Sequence, residues 1–165
     1  MCEDQGIEVK PFVSHTLYDL EELFKKNGNK VSSTYGSFQS LLAKVGPPVE
    51  PIEIKSFESL CPANNNPEYD IPTLEQIGLS ISDVGMKARG GEEEGLKRLE
   101  EKLRDTKWVC QFEKPMTSPN SLEPSTTLLS PYLKFGCLSA RLFYHKLVKI
   151  YKQHKHTDPP VSLLG

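Results

Sequence analysis

Between Val45 and Gly90 the chain carries Pro47, Pro48, Pro51, Pro62, Pro67 and Pro72, with Asn64, Asn65 and Asn66 in succession. Each proline fixes φ and removes a backbone donor, so neither a long helix nor the interior of a sheet can run through this stretch. The segment cannot bury much of itself and reads as a connector. Whatever core the chain builds must come from residues on either side of it. Within the connector, "TLEQIGLS" predicts a single helical turn stopped by Gly78.

On the N-terminal side, "IEVKPFV", Ile7 to Val13, predicts one short strand weakened by Pro11. A short amphipathic helix is expected next, with Thr16 as N-cap, Glu21 and Glu22 early, Lys25 and Lys26 late, and Asn27-Gly28 as the stop. Leu20, Leu23 and Phe24 form its apolar stripe. A second helix is expected from Tyr35 to Lys44, with Phe38, Leu41 and Leu42 on one face and Gly46-Pro47-Pro48 beyond it. On the C-terminal side, "GEEEGLKRLEEKLRDTKWV" predicts one continuous helix. Leu96, Leu99 and Leu103 recur at i, i+3 and i+7, and Glu93–Lys97 and Glu94–Arg98 are i, i+4 pairs. Trp108 is expected to pack beneath it.

The stretch "STTLLSPYLKFGCLSARLF" places two helix starts and several hydroxyls within nineteen residues. Ser130-Pro131 predicts a helix with serine at N-cap and proline at the first helical position. Gly136 ends it, and Ser139 caps a longer helix, "ARLFYHKLVKIYKQHK", whose stripe is Phe143, Leu147, Ile150 and Tyr151. The loop before Ser130 delivers hydroxyls and amides to a helix start, a place suited to an anion such as phosphate. Spacing alone leaves open whether Ser130 merely caps its own helix. Between Pro124 and Thr157 there are six Lys or Arg residues and no acidic residue, so the rest of a chain of net −2 carries −8. That basic face either meets phosphates or is simply solvated.

Cys2, Cys61, Cys110 and Cys137 are far apart, with no CxxC pair and no histidine at metal spacing, so no metal site is expected. No apolar run approaches the ~20 residues of a membrane span. The N-terminus, "MCEDQGIEVK", has neither the charge nor the apolar run of a secretory or mitochondrial signal.

"TTLLSPYLKFGCLSARLFY" resembles the photolyase/cryptochrome family, in which a T-[ST]-x-L-S-P-Y-L motif binds flavin. "WVCQFEKPMTSPNSLEPSTTLLSPYLKFGCLSAR" and "HKHTDPPVSLLG" are similar to the animal (6-4) photolyase branch, while "FVSHTLYDLEEL" and "YDIPTLEQIGL" are similar to the family's end of its first domain and its connector. The resemblance implies a mainly α chain. Residues 1–28 would be the remnant of an N-terminal α/β antenna domain, 29–90 a long proline-rich interdomain linker with short helices, and 91–165 the first helices of an all-α FAD-binding domain.

The resemblance further implies that Thr126, Thr127, Leu128, Leu129 and Ser130 cradle FAD phosphates and ribityl chain. Phe112 would lie against the flavin, and Lys114 would contact a DNA lesion or its phosphate. The expected activity is light-driven repair of UV-induced pyrimidine photoproducts in DNA, by a protein of the nucleus, or of nucleus and cytoplasm, that is monomeric when complete. The antenna chromophore is not indicated. A cryptochrome, acting as blue-light receptor or circadian transcriptional repressor, is the alternative, and a non-catalytic interaction module the third reading. "FEKP" and "SLEPSTT" favour the repair branch.

In the family the sequence continues after "PPVSLLG" with Gln-x-x-Trp-Arg-Glu and, later, lesion-site histidines. The chain is therefore expected to be a central fragment without catalytic residues, inactive alone, without tight flavin binding, marginally stable, and exposing Phe143, Leu147 and Ile150.

Overall fold

A computed structural model describes residues 2–10, 13, 15–53, 68, 70–79, 89–112 and 126–154. The chain divides into two units, one of residues 1–51 with 90–165 and the other of residues 52–89. The described part of the first unit is helical: α1 (Leu20–Lys26), α2 (Tyr35–Val45), α3 (Glu92–Arg104), α4 (Thr106–Gln111), α5 (Ser130–Lys134) and α6 (Ala140–Gln153), after a 3-10 turn at Glu3–Gln5.

The expected strand at residues 7–13 is not found at its described positions, and no strand occurs among the described residues. Ile7 and Val9 are both more than half exposed. Alternating apolar residues become a strand only when a neighbour supplies the ladder, and no described segment does so.

α1 starts three residues later than the Thr16 cap predicts. Asp19 is the N-cap, accepting from the amides of Glu21 at 2.8 Å and Glu22 at 3.2 Å. A carboxylate taking two amides at the positive end of a helix outcompetes a threonine hydroxyl. The Thr16 hydroxyl instead donates to the Tyr18 carbonyl at 2.6 Å. Lys25–Glu21 and Lys26–Glu22 pairs brace the exposed face. Of the expected stripe only Leu23 is buried; Leu20 and Phe24 are exposed.

α2 begins where expected, in a reciprocal capping box between Thr34 and Ser37. It ends at Gly46, whose amide donates to Leu42 and whose φ of +86° only glycine adopts easily. Leu41 is its buried residue, and α1 packs against α2.

The continuous helix expected beyond Gly91 is broken at Asp105. Asp105 ends α3 and caps α4, its carboxylate accepting from the Trp108 amide at 3.0 Å. The break redirects the chain, so Leu99 and Leu103 of α3 and Val109 and Cys110 of α4 enter one core. On α3, Glu94 serves both Lys97 at 4.0 Å and Arg98 at 3.8 Å.

Beyond α5 and its C-cap Phe135 comes Gly136 at φ +70°. The Leu138 amide then donates back to the Tyr132 carbonyl at 3.1 Å, in a reversal that glycine permits. Ser139 caps α6 as predicted, accepting from the Leu142 amide at 3.3 Å.

The core joins Leu99, Leu103, Val109, Cys110, Leu129, Tyr132, Leu138, Leu147 and Ile150. Each such side chain contributes about 1.5–3 kcal/mol when fully buried. The expectation that Leu147 and Ile150 are exposed is therefore wrong. α4 packs on α6, and both residues lie inside the joint core, leaving Leu147 only 1% exposed, with Phe143 half-buried at the core's edge. The Tyr151 hydroxyl ties the same two helices by donating to the Val109 carbonyl at 3.2 Å.

The other side of α6 holds the N-terminal segment. Arg141 Nε donates to the Leu17 carbonyl at 3.2 Å. His145 Nε2 lies 3.0 Å from the Pro48 carbonyl and 3.2 Å from that of Val49. Both partners only accept, so Nε2 carries the proton. The Tyr18 hydroxyl donates to the Gly46 carbonyl at 2.9 Å. These bonds fix where the chain leaves α2 and enters the proline-rich stretch.

In the second unit, Thr73 and Gln76 cap one another, and the Leu79 amide donates to Leu74. Gly78 at φ +79° closes the single turn the sequence predicts.

Candidate functional site

The loop Thr126–Leu129 leads into α5 and is anchored at one point. Leu129 is 1% exposed and part of the core. Its neighbours face outward by degrees: Thr126, Thr127 and Leu128 are half-buried and Ser130 is exposed. Leu128 has φ +56°, a left-handed conformation that is uncommon for a branched apolar side chain. Leu129 follows at φ −90° and ψ −12°. Residues of alternating hand turn successive amide N–H groups toward one side, the backbone form of an anion cradle.

The expected cap is corrected here. Leu129, not Ser130, is the N-cap of α5. Ser130 is the first helical residue, Pro131 the second, and no side chain caps the helix. The Ser130 hydroxyl is thus not consumed by its own helix, which removes that reading of the residue. Among the described residues, the hydroxyls of Thr126, Thr127 and Ser130 have no hydrogen-bond partner. Three hydroxyls and a run of amides on one anchored loop are donors of a kind that a phosphate ester accepts, so the loop suits a phosphate group.

Phe112 stands just after α4, half-buried, its ring edge-on to Trp108 at a centroid distance of 4.9 Å. Trp108 packs on the core that holds Leu129, so Phe112 and the loop are attached to one framework. Lys114 lies outside the described residues.

Sequence reasoning missed the support beneath the loop. Tyr132, in the Ser-Pro-Tyr-Leu run, is buried with its ring against Gly95 of α3. The Arg98 guanidinium lies 5.8 Å from the centroid of that ring. A lone glycine inside an otherwise strong helix signals such a close approach, and Gly95 carries that signal.

Two ionisable groups of the core depart from their ordinary behaviour. Burial pushes the Cys110 thiol up, which keeps it protonated and unreactive. Burial, and secondarily the nearby Cys110, pushes the Tyr151 phenol up. No group of three or more potential metal ligands occurs among the described residues, and no described helix is long and apolar enough to cross a membrane. A cavity of about 500 Å³ between α1 and α2 is lined by Leu20, Phe24, Val31 and Phe38, among others, and by none of the loop residues.

No family model matches the chain. Individual curated proteins do match it along its length. A (6-4)DNA photolyase from Oryza sativa is 48% identical over 168 residues, covering 97% of this chain and 30% of the relative. Cryptochrome-1 from Spalax judaei is 42% identical, covering 100% of this chain and 30% of the relative. Cryptochrome-2 from Gallus gallus is 38% identical over the same share of this chain and 30% of the relative. The chain thus spans about 30% of the length of the relatives it matches. Over the stretch it spans, identities of 38–48% along the whole chain support its membership of the photolyase/cryptochrome family.

Proposed function

We propose that this chain is the flavin-cradling part of a light-driven, FAD-dependent DNA photolyase of the (6-4) type, acting on UV-induced pyrimidine photoproducts. The observation that carries the reading is the 48% identity to a (6-4)DNA photolyase over 97% of the chain, against 42% to a cryptochrome-1. In this reading residues 1–28 close an α/β antenna domain, 29–90 link, and 91–165 open the helical FAD domain. The protein works on DNA in the nucleus as a monomer.

The chain's own residues bind and position. The hydroxyls of Thr126, Thr127 and Ser130 and the amides from Thr126 to Ser130 would hold the diphosphate and ribityl chain. Leu128 and Leu129 would shape that loop and Leu129 anchors it. Phe112 would exclude water from one side of the ring system, and Lys114 would contact the lesion or its phosphate. When bound, reduced and excited flavin supplies the electron that opens the photoproduct; the lesion reaches it by flipping out of the duplex. A loop held by its core anchor loses little entropy on binding, which favours a preorganised cradle.

The test is blue-light repair of an oligonucleotide carrying one (6-4) photoproduct, by the product of the complete reading frame containing this stretch. Light-dependent restoration of the two pyrimidines is expected. Flavin photoreduction without repair favours the second reading, a cryptochrome signalling through protein partners, which the cryptochrome-1 relatives support.

A further inference from the structure

We propose that the groove between α3 and α6 is a phosphate-binding site separate from the flavin loop, suited to successive phosphates of a nucleic-acid strand. A cavity of about 340 Å³ opens there. Its floor is apolar, made by the buried Leu103 and Ile150, and its rim carries Arg104, Lys146 and Lys149 with one carboxylate, Glu100. Glu100 is already engaged by the Lys146 ammonium. Among the described residues, neither Arg104 nor Lys149 has a carboxylate within ion-pair distance. Two uncompensated cations from two different helices thus line one concavity.

Three features separate this groove from an ordinary solvated face. The Lys146 side chain is only 35% exposed, held across the groove by its partner. The apolar floor lowers the local dielectric, so each unpaired charge acts more strongly on an anion than it would in open water. Along α6, Lys146 and Lys149 stand on the groove one turn apart, and no acidic residue occurs between Pro124 and Thr157 to interrupt them. Cations so spaced suit successive phosphates, and the Arg104 fork pairs with phosphate oxygens. The proposal goes beyond the photolyase reading and needs neither flavin nor a lesion.

The experiment is fluorescence anisotropy of a labelled, undamaged oligothymidine strand with the full chain in the dark, across a salt series. It is repeated with Arg104→Ala, Lys149→Ala, the double variant, Arg104→Lys, and Lys44→Ala on α2 as control. Each lost cation is expected to weaken binding by about five-fold near 0.1 M salt and to flatten the salt slope by about 0.7. Arg104→Lys should retain most of the binding, and Lys44→Ala all of it. Pyrophosphate added as competitor separates the sources: displacement of DNA shows that both occupy the groove. Pyrophosphate binding that needs Arg104 and Lys149 without DNA binding identifies a free phosphate compound as the ligand. If neither ligand's binding depends on Arg104 and Lys149, or if polyglutamate competes as well as DNA, the phosphate site is refuted. All variants alter exposed side chains, and circular dichroism identifies any that fail to fold; Arg104→Lys keeps the charge and so tests the site without removing it.

Discussion

Replacing Gly95 by alanine sets two opposing effects against each other. Gly95 sits inside α3 with an ordinary helical backbone, so helix propensity alone favours alanine by about 1 kcal/mol. Space opposes it. A Cβ there would lie 3.0 Å from Tyr132 Cδ1, 3.3 Å from Cγ and 3.4 Å from the Cys137 carbonyl oxygen. Comfortable carbon contacts are about 3.5–4.0 Å, so the ring must retreat by roughly half an ångström. It has little room, since Tyr132 is 3% exposed, has Arg98 beside its ring, and accepts the Leu138 amide. Overpacking of this kind costs about 1–3 kcal/mol. The expected net effect is a loss of about 1 kcal/mol, or a melting temperature lower by about 2–4 °C. Thermal unfolding followed by circular dichroism measures it. In a Tyr132→Leu background the same glycine replacement should be neutral or stabilising, and the two contexts form a double-mutant cycle. If Gly95→Ala alone stabilises the protein by the full propensity term, the ring is not packed on that backbone and the support assigned to the loop is wrong.

Leu147→Ala should cost about 2–5 kcal/mol, because the residue is almost completely buried in the core; a urea midpoint indistinguishable from wild type would mean α6 is not docked. Stability should also fall in alkali. Burial pushes Cys110 and Tyr151 above their ordinary values of 9.0 and 10.0. The unfolded chain then gives up these protons first, so the contribution is complete below about pH 9 and is lost as pH rises through the raised folded values. Tyr151→Phe and Cys110→Ala should each flatten the alkaline limb of a urea-midpoint series, and an unchanged limb would count against the burial of these groups. Asp105→Ala should cost about 1 kcal/mol through loss of the α4 cap, read as a lower urea midpoint; no change would mean the break between α3 and α4 is not held by that carboxylate.

Elements with local signals were legible in the sequence. Ser139 before α6 and Gly136 after α5 act where capping rules place them, and α2 starts at Tyr35 as expected. Features decided by distant partners were not. The burial of Leu147 and Ile150 depends on core partners such as Leu99, Leu103 and Val109, some forty residues earlier in the chain, and no periodicity within α6 names its cover. The strand expected at Ile7 has alternation but no described neighbour to pair with. Asp105 was hidden because it lies in a run whose leucines and charges fit one continuous helix, although an aspartate followed by threonine is itself a cap signal. At the candidate site the hydroxyls were legible from Thr126 to Ser130. The left-handed Leu128 and the shift of the cap to Leu129 were not, since both follow from pulling Leu129 into the core.

The most direct test of the account is the flavin content of the complete reading frame with and without Thr127→Val and Ser130→Ala together. Two hydroxyls donating to charged phosphate oxygens are worth about 1.5–3 kcal/mol each. The account predicts that the unaltered protein purifies with FAD and that the double variant, still folded by circular dichroism, binds it at least tenfold more weakly. A variant that holds FAD as tightly as the unaltered protein would contradict the claim that this loop cradles the flavin phosphates.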